Sequence, residues 1–145
     1  MNLAPRGSRF LGQFVDGIIA ISPFMMLVIA MPAGTLDSAL GETSIMVAMA
    51  LGAGYYLFAD AMPGGQSAGK LLLGMAVVNQ TTHAPCTLLQ SFLRNVLQPF
   101  VSMLDWIFIF GSRRQRLGDM LAGTIVVEKG SYTDRQRMYA ELDRA

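Results

Sequence analysis

Three charged residues stand where chemistry in an apolar setting would need them. Asp16 is the only ionisable side chain between Arg9 and Asp37. It opens the run GIIAISPFMMLVIAM, which holds one Ser and one Pro among apolar residues. An acid at the edge of such a run is costly to bury, and it marks a functional site whose partner must be found. Arg9 lies seven residues earlier, close to two helical turns, and so shares a face with Asp16. Near the other end, Arg116 and Asp119 are three apart, adjacent if helical, and Asp119 again stands at an apolar boundary. Charges of this kind have two uses. An Asp beside Arg⁺ stays ionised while a buried one drifts towards neutral, and that competition lets a carboxylate exchange a proton for a small cation. The same charges can instead form a fixed ion-pair network that locks helices together.

Other motifs carry less. Gly64-Gly-Gln-Ser-Ala-Gly69-Lys70 approaches the phosphate-binding pattern GxxxxGK[ST], but position 71 is Leu, and no strand precedes the loop. It reads as a tight Gly-rich turn with Lys70 snorkelling to an interface. His83, the single histidine, stands near Cys86, the single cysteine, and two ligands do not make a metal site. Met25, Met26 and Met31 lack the regular spacing and nearby His of a copper site. No Ser-His-Asp or Cys-His set has a local partner. The chain is therefore expected to be neither an enzyme nor a holder of metal or cofactor.

The elements that must position these charges are membrane helices. Apolar residues make up 52% of the 145 and charged ones only 14%, against about 25% charge in soluble domains. The net charge of +1 gives no reason to expect a nucleic-acid partner. A first helix is predicted from about Arg9 to Met31, with Pro23 a kink and Pro32 a stop. It is too long for a signal-peptide core and carries an acid at its start. Residues 33–43 read as an aqueous loop. A second span is predicted over about Ser44 to Met62, with small residues Ser44, Ala48 and Gly52 on one ridge and Ala50 and Gly54 on another. Asp60 marks its approach to the interface. Val77-Val78 and Ile125-Val126-Val127 are β-favouring, and the two pieces can pair outside the bilayer if both lie on one side.

Between Arg94 and Arg113 lie only 18 residues, containing Gln98, Pro99, Ser102 and Asp105. Hydropathy alone suggests a third pass. That pass would carry Arg113, Arg114, Arg116 and Lys129 outside, against the rule that basic loops stay in the cytoplasm. A re-entrant or interfacial hairpin broken near Pro99 keeps them inside. The expected fold is an all-α membrane protein of two or three transmembrane helices, with such a hairpin and a short cytoplasmic β-pair. Residues 1–8 read as a loose polar tail, 9–129 as the membrane domain and 130–145 as a solvated polar tail.

Three blocks in order, Arg9-x6-Asp16, GGQSAGKLLLGMAVVN and RRQRLGDMLAGTIVV, resemble the RDD family of small bacterial membrane proteins. Arg94 in SFLRN also fits, and Asp105 is a common feature of the family. The resemblance runs from Arg9 to about Val127 and identifies the name-giving arginine and two aspartates as Arg9, Asp16 and Asp119. Asp105, Arg94, Arg116 and Lys70 would support them. It implies a bacterial inner-membrane location, and Arg6 and Arg9 ahead of the first span place the N-terminus in the cytoplasm by the positive-inside rule. The family is mostly of unknown function, with cation/proton exchange or another transport role suggested for some members. The expectation here is proton-coupled transport of a small cation, with Asp16 the exchanging site, Asp119 a second carboxylate and Arg9 the competing counter-ion. The alternative is an assembly module in which Arg9, Asp16 and Asp119 are fixed. So short a chain can hardly enclose a transport path alone, so a homo-oligomer or larger membrane complex is expected.

Overall fold

The computed structural model describes residues 2–32, 34–98 and 115–142. Asp105, Arg113, Arg114 and the predicted break at Pro99 lie outside the described residues.

Helix α1 spans Arg6–Ala30 and helix α2 spans Ala39–Phe58, continued by a 3-10 turn at Ala59–Ala61. Both are long and apolar enough to cross a membrane. Helix α1 runs through Pro23, whose ring nitrogen cannot donate to the Ile19 carbonyl four residues back. The Ser22 hydroxyl donates to that carbonyl at 2.8 Å and fills the gap. Met31, next to Pro32, is extended, as a residue before proline must be, and the helix stops. Helix α2 starts earlier than predicted. Ser38 accepts from the Gly41 N–H at 3.1 Å, so Ala39–Thr43 joins the helix rather than the loop.

The two helices meet along the predicted small-residue ridge. Ala48 and Gly52 are buried, and a Cβ on Gly52 would overlap the Ala20 carbonyl of α1. On the second ridge Ala50 is exposed, and a Cβ on Gly54 would meet nothing within 4 Å. The first ridge thus serves a contact within the chain. Gly52→Leu is expected to separate the helices, at a cost of ~1–3 kcal/mol for overpacking, while Gly54→Leu costs little. Thermal melts in detergent compare the two, and equal losses would contradict the contact.

Short elements follow. Gly64 and Gly65 take left-handed backbone (φ 81° and 69°) and turn the chain into α3, Ala68–Leu72. Strand β1, Met75–Asn79, pairs antiparallel with β2, Thr124–Glu128, so the predicted ladder forms and the chain is not purely helical. Helix α4, Leu88–Val96, opens on a capping box of Thr87 and Gln90. Helix α5 spans Leu117–Ala122 and ends on the left-handed Gly123. Helix α6 covers Lys129–Leu142, and its Tyr132 packs on Ala76, Val78 and Val127.

The first residues are not a loose tail. Leu3 bridges Val127, the Ala4 N–H donates to the Val126 carbonyl at 3.1 Å, and Ala4 is fully buried. Apolar Leu3 and Ala4 supply β2 with a second neighbour, a signal hidden by the polar residues around them. The start of the chain, β1 and β2 therefore share one end of α1. Arg94 and Asp119, which flank residues 99–114, are joined by an ion pair. The segment on which a third pass or a re-entrant hairpin was expected, residues 99–114, lies outside the described residues.

Candidate functional site

Six charged side chains, each with 6% or less of its surface exposed, form one alternating series. Arg9 of α1 donates through Nη2 to Asp119 Oδ2 of α5. Arg94 of α4 pairs through Nη2 with Asp119 Oδ1 at 2.8 Å and through Nε with Asp60 Oδ2 at 3.4 Å. Lys70 of α3 donates to Asp60 Oδ1 and lies 3.6 Å from Asp16 Oδ2. Asp16 returns the series to α1. The order is Arg9, Asp119, Arg94, Asp60, Lys70, Asp16: three cations alternate with three anions, and the backbone of α1 closes the ring.

Every carboxylate oxygen in the ring has a donor. Asp16 Oδ1 accepts from the Tyr55 hydroxyl at 2.9 Å and the Gly69 N–H at 2.8 Å, and Oδ2 accepts from the Ser67 hydroxyl. Gly69 can reach Asp16 because α3 crosses α1 where neither has a side chain: a Cβ on Gly69 would overlap the Gly12 carbonyl. Asp60 Oδ2 also accepts from Asn95 Nδ2 at 3.3 Å. Asp119 Oδ2 also accepts from the Arg116 N–H at 3.2 Å, which caps α5. Arg116 Nη1 donates to Gln13 Oε1 at 3.1 Å and Gln98 Oε1 at 3.4 Å, so it anchors the ring to α1.

Burial by itself would raise the Asp119 pKa, but the guanidinium groups of Arg94, Arg9 and Arg116 outweigh it and hold the carboxyl below its usual range. Burial likewise acts to lower the Arg94 pKa, and Asp119 and Asp60 reverse it, raising the value. Asp119 thus stays ionised through the neutral range, which suits an anchor rather than a proton carrier. Cys86 has its thiol pushed up to about 11 by burial, which leaves it unreactive.

The sequence-derived residues are placed as follows. Arg9 and Asp119 meet directly. Asp16 belongs to the same network, but its cation among the described residues is Lys70 rather than Arg9. Seven helical residues span ~10.5 Å, so a shared face did not bring Arg9 to Asp16. Lys70, expected to snorkel, is 5% exposed and bridges two acids. Arg94 joins two acids and Arg116 flanks Asp119, while Asp105 is outside the described residues. Sequence reasoning missed Tyr55, Asp60, Ser67 and Asn95. Asp60 had a usable signal, since it is an acid at the end of an apolar span, as Asp16 is at the start of one.

Between Asp16 and Asp60 lies a cavity of about 10 Å³, lined among others by Gln13, Ser67, Lys70 and Asn95. It has room for the centre of a single water. Among the described residues no three His, Cys, Asp or Glu side chains gather to hold a metal ion. The family model that matches, over residues 3–123, is that of the RDD family. No curated protein and no solved structure matches the chain.

Proposed function

From the premise that the chain belongs to the RDD family, we propose that it is a multi-pass membrane module whose charge ring is a fixed clamp, serving assembly of a membrane complex without catalysis. One observation carries this reading: all six carboxylate oxygens of Asp16, Asp60 and Asp119 accept from protein donors. A site that exchanges ions is expected to leave a carboxylate oxygen without a protein donor, and here each oxygen has one. Five segments contribute charges, so the ring fixes α1 and α2 against α3, α4 and α5. The basic residues near the N-terminus argue that this end faces the cytoplasm of the inner membrane.

A second reading, exchange of a small cation for a proton, draws support from the water-sized cavity between Asp16 and Asp60. In that case Asp16 is the exchanging acid, and Lys70 takes the role first given to Arg9.

Purified chain in proteoliposomes separates the two. The clamp reading expects no sodium- or potassium-driven proton flux above that of empty vesicles. It also expects native mass spectrometry to show species larger than the 15.7 kDa monomer and reporters at either end of the chain to read cytoplasmic. Cation-dependent flux that disappears in folded Asp16→Asn/Lys70→Met protein would replace the clamp with exchange. A monomer alone would end the proposal of a homo-oligomer.

A further inference from the structure

The short helices are built inside out. Helix α3 turns Lys70 inward and leaves Leu71 and Leu72 56% and 75% exposed. Helix α4 turns Ser91, Arg94 and Asn95 inward and leaves Leu88 and Leu89 64% and 66% exposed. Helix α5 turns Asp119 inward and leaves Met120 and Leu121 55% and 65% exposed. In water each helix would be reversed, with its charge outside and its apolar pair within.

Their position along α1 adds to this. Gly69 of α3 packs on Gly12, six residues past the start of α1 at Arg6, or ~9 Å along its axis. At that level α1 exposes Phe10, Leu11 and Phe14. The leucines of α3 therefore continue the apolar surface of a helix long enough to span the bilayer.

We propose that the apolar pairs of α3, α4 and α5 form a collar immersed in one lipid leaflet, with the charge ring sealed above by these short helices at the depth of the headgroup boundary. The occupant of this surface is lipid, because the same inversion recurs on three separate helices and runs on into α1. Helices with an apolar face of this kind lie in the interface without crossing it. The inference rests on the reading of α1 and α2 as spanning helices.

Spin labels test it in reconstituted full-length protein on a Cys86→Ala background that retains the native melt. Labels go singly at Leu72→Cys, Leu89→Cys and Leu121→Cys, with Ile21→Cys as the span control and Asp134→Cys as the water control. Collision with oxygen reports lipid, and collision with a water-soluble nickel chelate reports water. The collar labels are expected to show an oxygen-to-nickel ratio several-fold above that of the Asp134→Cys label. Lipid contact at Ile21→Cys with water contact at the three collar sites would overturn the collar alone. Water contact at Ile21→Cys would overturn the spanning reading beneath it. Collar labels shielded from both reagents would overturn the lipid assignment in favour of a protein partner or second copy.

Discussion

Asp119→Asn is expected to keep the chain from accumulating as a folded membrane protein. Its carboxylate pairs with Arg9 and Arg94 and feels the charge of Arg116 nearby, and the amide would leave these cations repelling one another. Breaking a buried ion pair by removing one partner costs ~3–5 kcal/mol, against a total stability of ~5–15 kcal/mol. The Arg9→Met/Asp119→Leu pair removes one cation and one anion together and leaves Arg94, Asp60, Lys70 and Asp16 still alternating. That double variant should recover part of the loss. Unfolding in mixed micelles, together with yield from membranes, measures both. Asp119→Asn protein as stable as the native chain would show that the ring does not hold the fold.

The opposite side of the ring gives the second large effect. Lys70 is the one described cation that touches both Asp16 and Asp60, and Lys70→Met strips it from two buried acids at once. A loss of ~3–5 kcal/mol is expected again. Asp60 keeps Arg94 and Asn95, so the exposed fault lies at Asp16. Adding Asp16→Asn neutralises that fault while an amide oxygen still accepts from Tyr55 or Gly69. The double variant should therefore be more stable than Lys70→Met alone. A double-mutant cycle measures the coupling, and strictly additive losses would disprove it.

Much of the architecture was legible in the chain because it follows from local rules. Apolar length marks α1 and α2, the valines of β1 and β2 mark their ladder, and Ala48 with Gly52 marks the helix contact. The charged residues were legible too, as costly exceptions in apolar surroundings. Their pairing was not. Side chains on one helix are limited to partners within a turn, whereas Arg9 finds Asp119 across 110 positions and Ser67 finds Asp16 across 51. Such choices are made by packing: Gly12 and Gly69 must first bring α1 and α3 into contact before Asp16 can meet the Gly69 N–H. The docking of Leu3 and Ala4 on β2 has the same origin, since one apolar pair carries no periodic signal.

The separation of ring partners along the chain also sets an order of events during synthesis. Asp16 meets its partners on Tyr55, Ser67 and Gly69 within 39 to 53 residues, while Arg9 waits 110 residues for Asp119. At ~5–20 residues per second, Arg9 spends on the order of 5–20 s at the ribosome without that carboxylate. The Asn2 to Ala4 segment waits longer still, because the strand it joins begins at Thr124. Residues Asn2 to Ala4 are thus made early and placed late, and the charge of Arg9 at the base of α1 goes unbalanced by Asp119 until α5 is made.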